Sequence, residues 1–300
     1  MRLSLSHIAI FLLMAASCCR NGADAPFSEV NFAISLQRDA VPEAMRLMLF
    51  DSASGRYEGD ANLTGRVEGN IFKATTKLRT GQYDGFCYDL DIPDTFVASG
   101  KDKSDFYFYT EQVSSDILAR CGYAEGTPLH HTPDKVYGAT FAGISAGNGK
   151  DSYSADAESL VETWSIEVKG TGLQYALAAG TVISGLPATI HPYNTGADES
   201  GDLWTTLSVT GDLVKGSFNV FKGKGAAKQS LVLNILDSKG KAHLFPLDCT
   251  DLMTEARRNG TMLISPKASI NIPKPESSES EGGFNPTLGD WNQQTGEIFI

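Results

Sequence analysis

The sequence is poor in the residues that usually announce chemistry. Five histidines and five cysteines are spread over 300 residues. The cysteines show no CxxC spacing, and no HExxH is present, so the common zinc signatures are missing. Basic residues are also in deficit, with 25 Lys and Arg against 36 Asp and Glu, for a net charge of −11. A chain this acidic lacks the basic face that nucleic acid needs. It is equally unsuited to electrostatic docking on anionic lipid. Long apolar runs are absent too. The best, Ile8 to Ala16, is roughly half the ~20 residues of a spanning helix.

That short run has a different meaning. Met1-Arg2 is a positive start, Ile8 to Ala16 an uncharged apolar stretch, and small residues follow. This is the layout of a secretory signal. It ends Ala15-Ala16-Ser17-Cys18, which resembles a lipobox, where small residues precede a cysteine that becomes acylated. The expected layout is a signal peptide over 1–17, lipidation at Cys18 (Cys19 as second choice), and a tether over 18–27. Several acyl chains on one cysteine hold a protein on a membrane stably. The apolar fraction of 41% is normal for globular protein and too high for a disordered chain. Cys87, Cys121 and Cys249 are odd in number and are expected as buried free thiols rather than a disulfide framework.

The patterning is that of strands. Phe32, Ile34 and Leu36 alternate with Ala33, Ser35 and Gln37, and Leu47 and Leu49 alternate before the turn Asp51 to Gly55. Gln82 to Tyr88 and Asp105 to Thr110 are aromatic and β-prone. Later runs are Trp164 to Val168, Leu203 to Val209, Leu213 to Phe221, Leu231 to Leu236, Ala242 to Leu247 and Met262 to Ile272. Period-2 alternation between Gly, Asp and Ser clusters is the mark of half-buried antiparallel strands. The clearest helix is Asp251 to Arg258, with Thr250 as cap and Asn259-Gly260 as stop. Ala146 to Ser159 is small, polar and turn-rich, so the expected domains are 28–148 and 159–300. Many short strands predict an all-β fold of sandwich type.

No motif assembles into a catalytic constellation. Gly143-Ile144-Ser145-Ala146-Gly147 matches the nucleophile elbow, which works only at a strand-to-helix turn. Asn148-Gly149-Lys150 cannot start such a helix, so a loop between domains is expected. His130-His131 reads as an exposed loop, because adjacent strand residues point to opposite faces and rarely share a metal. The acidic groups Asp89, Asp91, Asp94 and Asp198, Glu199, Asp202 lack the EF-hand pattern and read as turns. Gly223-Lys224-Gly225 lacks the rest of a phosphate loop. No enzyme, cofactor or metal is expected. Phe106, Tyr107, Phe108 and Tyr109 are a candidate surface for binding, although alternation sends half of them to the core.

Several segments, in order along the chain, resemble the FimB-like fimbrial anchor lipoproteins of Bacteroidetes. They are Leu78 to Tyr88 with its Gly81-Gln82-Tyr83, His131 to Gly138 with Thr132-Pro133-Asp134, and Val182 to Pro187. Lys239-Gly240-Lys241 follows, then Asp248-Cys249-Thr250-Asp251, where Cys249 departs from the usual apolar residue. Ile272-Pro273, Gly283-Phe284 and Trp291 complete the series. The resemblance implies two tandem antiparallel β-sandwich domains of Greek-key, transthyretin-like topology. It implies a non-enzymatic surface lipoprotein on the outer membrane, held by lipid on Cys18, with fimbrial subunits as partners through strand complementation. The alternative is a monomeric surface lipoprotein that binds a glycan or a host protein.

Overall fold

The structure, a computed structural model, describes residues 26–275 apart from 38–41, 91, 93–94, 148, 150–151, 194–197, 224 and 268. Cys18, Cys19, the signal segment, Asp91, Asp94, Lys224 and Trp291 lie outside the described residues.

The chain is almost wholly β. In order, the first strands are β1 (Phe27–Ser35), β2 (Ala44–Asp51), β3 (Tyr57–Glu68), β4 (Ile71–Arg79) and β5 (Gly81–Asp89). Then come β6 (Thr95–Ala98), β7 (Tyr107–Thr110), the short helix α1 (Ser115–Arg120) and β8 (Leu129–His131). β9 (Tyr137–Ala146), β10 (Ser152–Asp156) and β11 (Glu158–Ser159) follow. The remainder is β12 (Val161–Thr171), β13 (Ala176–Pro187), β14 (Thr189–Ile190), β15 (Ser200–Thr210), β16 (Leu213–Phe221), β17 (Ser230–Asp237), β18 (Ala242–Asp248), helix α2 (Thr250–Asn259), β19 (Leu263–Ile264) and β20 (Ile270–Asn271). No described helix is long and apolar enough to cross a membrane.

The chain forms two compact units. One holds residues up to Asp91, Ser99–Asp105 and Tyr137–Ser159; the other holds Ile92–Ala98, Phe106–Val136 and the chain from Leu160. The expected cut between 148 and 159 therefore differs from the division of contacts. The turn-rich stretch contains two strands whose partners lie in the first unit. β10 runs parallel to β1, from Asn31↔Ser152 to Ser35↔Asp156, and β11 pairs with β9. In the other direction, β6, β7, α1 and β8 belong to the second unit.

In the first unit the strand order is β10-β1-β4-β3-β2-β5-β9-β11. β3 changes partner along its length. Its Tyr57–Thr64 part lies against β2, and its Gly65–Glu68 part against β4. Gly65 stands where the strand changes over, and a Cβ there would come within 2.2 Å of the Lys73 carbonyl. Inward residues from both parts share one core: Phe32 and Ile34 of β1, Leu47 of β2, Leu63 of β3, Phe72 of β4 and Phe141 of β9. Phe32 meets Phe141 edge to face at 5.1 Å between ring centroids, a favoured aromatic geometry.

The second unit repeats this plan. Its order is β18-β17-β13-β15-β16-β12-β19, with β15 changing partner from β13 (Ser200–Leu207) to β16 (Ser208–Thr210). Thus β12, β13, β15, β16, β17 and β18 correspond in order and pairing to β1, β2, β3, β4, β5 and β9. Even the parallel strand recurs, β10 beside β1 and β19 beside β12. Along β12 the inward residues Trp164, Ile166 and Val168 alternate with exposed Ser165 and Glu167, and they pack with Ile183, Leu233 and Met253. Helix α2 begins at Thr250, one residue before the expected Asp251, with Cys249 at the cap position. Asp248 Oδ1 accepts the Thr250 N–H, and Gly260 ends the helix at φ 67°.

Among the described residues three strand additions distinguish the second unit, the first being β20, parallel to β12 at Gly170 and Thr171. β8 runs parallel to β15 at Asp202 to Trp204, on the side of β15 away from β13. A separate three-stranded sheet has the order β14-β7-β6.

Candidate functional site

The weak motifs are accounted for by the strands that carry them. Ser145 lies inside β9, not in a loop, and no helix follows it at the described positions. Its hydroxyl accepts from Gln82 Nε2 at 2.6 Å, and its backbone N–H donates to Tyr153 Oη. His130 and His131 form the end of β8 rather than an exposed loop. His130 Nδ1–H donates to the Thr110 carbonyl at 2.8 Å. A carbonyl can only accept, so the proton sits on Nδ1. Asp89 is buried at the end of β5, and Asp198 Oδ1 accepts the His191 N–H at 2.8 Å. Among the described residues no group of three or more His, Cys, Asp or Glu could hold a metal ion.

Cys87, Cys121 and Cys249 are all buried and free, as the sequence suggests. Burial pushes the thiols of Cys121 and Cys249 up to about 11 and that of Cys87 higher still. Thiolate is the reactive form, so these groups are inert in the folded state.

The feature that gathers chemistry into one place is the β14-β7-β6 sheet. Antiparallel register sets Phe96 opposite Tyr109 and Thr189 opposite Tyr109, with Ile190 opposite Phe108. Alternation along β7 then separates two faces. Phe106 and Phe108 are fully buried and meet edge to face at 5.4 Å. Tyr107 and Tyr109 point the other way and are partly exposed. The tetrad of aromatic residues noted in the sequence therefore divides in half, as alternation requires.

On the exposed face four rings form a continuous row. Phe96 and Tyr109 lie 5.7 Å apart, Tyr109 and Tyr107 5.7 Å, and Tyr107 stacks on His191 at 4.8 Å with 24° between planes. Phe96 is 38% exposed. Neither tyrosine hydroxyl has a hydrogen-bond partner among the described residues. The row is held from behind. Ala188 N–H donates to the Glu199 carbonyl, Glu199 N–H to Thr189 Oγ1, and His191 N–H to Asp198. Sequence reasoning finds Tyr107 and Tyr109 by their alternation but misses Phe96 and His191. Their place in the row comes from cross-strand pairing, which has no local signal.

A second feature is an edge. β18 pairs with β17 and, among the described residues, with no other strand. Pro246 lies within it, opposite Val232. Proline lacks the N–H of a central strand and belongs at an edge.

No protein-family model matches the chain, and no curated protein matches it. Solved structures do. A candidate adhesin from Bacteroides ovatus aligns with 20% identity, covering 85% of this chain and 95% of that one, at a TM-score of 0.66. A candidate polysaccharide-binding protein from Bacteroides thetaiotaomicron aligns with 12% identity over 77% of this chain and 84% of that one, at 0.52. The fimbrial anchor protein Mfa2 from Porphyromonas gingivalis aligns with 10% identity over 79% of this chain and 88% of that one, at 0.48. At these identities the first two likenesses are likenesses of fold, and the chain has the fold of the Bacteroides ovatus protein over nearly all of that protein's length.

Proposed function

We propose that this chain is a non-enzymatic surface lipoprotein, a fimbrial anchor or a fimbria-like adhesion subunit held on the outer membrane by acylated Cys18. The observation that carries the reading is the pairing of a lipobox-like amino end with a fold that aligns almost end to end with a candidate adhesin. The open edge at β18 supports a structural role, since an extended segment from another subunit can add to such an edge through main-chain hydrogen bonds. Partners on this reading are outer-membrane lipid and other fimbrial subunits. Domain limits at 28–148 and 159–300 remain a proposal for how the mature chain divides along the sequence, with segments exchanged between the two units.

A second reading, a monomeric surface protein that binds glycan or host protein, is favoured by the exposed aromatic row. Both readings need the anchor, so its test comes first. Cells expressing the wild type and Cys18→Ala are labelled with radioactive palmitate and fractionated. The wild type is expected labelled in the outer membrane, and the variant unlabelled and displaced from it. Normal labelling of Cys18→Ala contradicts the assignment and moves attention to Cys19.

A further inference from the structure

We infer that the exposed face of the β14-β7-β6 sheet is a carbohydrate-binding site that takes neutral pyranose rings, with Phe96, Tyr107, Tyr109 and His191 as its floor. The inference rests on the adhesion reading only for where the chain would meet a glycan. The site itself is read from geometry.

Aromatic rings on a strand normally go inward, because each removes a large apolar surface from water. Here Phe106, just before β7, and Phe108 go to the core, Tyr107 and Tyr109 stay outside, and Phe96 of β6 and His191, just after β14, add a ring at each end of the row. The row is built, not scattered. Cross-strand register fixes Phe96 against Tyr109, and the Asp198 and Glu199 hydrogen bonds hold the segment that carries His191.

The composition of the face selects its occupant. A pyranose has a face of C–H bonds with slight positive charge and a rim of hydroxyls. The negative face of an aromatic ring suits the first. The hydroxyls of Tyr107 and Tyr109, without partners among the described residues, suit the second. Size points the same way. Rings of this kind present about 150–250 Å² each, and none here is more than 38% exposed, so the open patch is under about 400 Å². A stable protein partner needs about 800 Å² on each side. One to three sugar rings need far less. Charge decides between sugars. The four residues contribute no carboxylate and no Lys or Arg, and the whole chain is at −11, so an anionic glycan is repelled and a neutral one is not.

The test uses the full chain purified in detergent. Cellohexaose, laminarihexaose and mannohexaose serve as neutral probes and a chondroitin sulfate hexasaccharide as the anionic one. Binding is read by saturation-transfer NMR and titration calorimetry on wild type, Tyr107→Ala, Tyr109→Ala and Tyr107→Phe. At least one neutral probe is expected to bind. Each alanine variant is expected to lose about tenfold or more in affinity, while Tyr107→Phe, which keeps the ring, loses much less. Phe96→Ser, at the most exposed position, provides the same reading should an alanine variant of β7 fail to fold. Three results overturn the inference: no neutral probe binds, only the sulfated probe binds, or binding is indifferent to the alanine and serine changes. A chain that is acylated and membrane-held yet binds no neutral sugar defeats this inference alone. A chain that binds sugar but is not acylated leaves the site standing and removes the anchor.

Discussion

The two units are built on one plan and end in different places. Each has a long strand that changes partner midway, β3 in one and β15 in the other, and each has a strand lying parallel to its first. Each core is filled from the alternating face of that first strand, through Phe32 and Ile34 in β1 and through Trp164, Ile166 and Val168 in β12. Among the described residues the second unit then carries, among other additions, a parallel strand on β15 and a small sheet with one aromatic face exposed. Both additions come from chain lying between β5 and β9, together with the short β14. The shared scaffold is a matter of stability, and the distinguishing chemistry is on inserted segments, which is where binding residues concentrate in many folds.

The comparison breaks most plainly at the cores. Phe32→Ala and Trp164→Ala remove fully buried rings from corresponding strands and are each expected to cost about 3–5 kcal/mol, measured by denaturant titration. A cost below about 1 kcal/mol for either would end the equivalence. The same chemistry separates the two faces of β7. Phe108→Ala is expected to cost about 3–5 kcal/mol and Tyr107→Ala less than about 1 kcal/mol, as a surface change does, although the second removes sugar binding.

Smaller effects sharpen the contrast through acid. In the first unit Asp60 is held below the usual carboxylate range mainly by the Tyr57 hydroxyl at 2.6 Å; burial opposes this, and Arg46 at 2.7 Å adds to the lowering. In the second, burial pushes Asp237 up, but the His243 ring and the N–H groups of Lys241 and Lys239 outweigh it and hold it low. A lowered carboxylate adds stability that is complete above its unfolded value, 3.8, and is lost as pH falls through the lower folded value. Asp60→Asn and Asp237→Asn are therefore expected to flatten the loss of stability below about pH 4, read from melting temperatures between pH 2 and 6. An unchanged acid limb in both variants would contradict the assignment. Least visible is the thiol prediction: Cys87, Cys121 and Cys249 should resist a thiol-specific reagent until denaturant is added. Rapid labelling in the native state would contradict their burial.

Much of the scaffold is legible because burial alternates with residue type. β16 runs from Leu213 to Phe221 in sequence and structure alike, and Phe32 and Ile34 face the core as expected. β3 is not legible. In β3 only Leu63 is buried, so no apolar period marks it. β13 is dominated by small residues, and β10 hides in a polar stretch because its strand character comes from pairing with β1. The helix start is displaced because Asp248, not Thr250, satisfies the first N–H. Half of the aromatic row is legible for the reason that strands alternate. The other half, Phe96 and His191, depends on which strands become neighbours, and that is decided by the whole sheet.

The central proposal is that this duplicated fold serves in a fimbria-type assembly on the cell surface. Its most direct test is an immunoblot of outer-membrane fractions, loaded in detergent with and without boiling. Strand addition at an open edge buries main-chain hydrogen bonds along a whole strand and should survive detergent in the cold. A high-mass ladder in the unboiled lane that collapses to one band on heating is expected. A single band at monomer mass in both lanes would contradict it and favour the reading as a stand-alone binding protein.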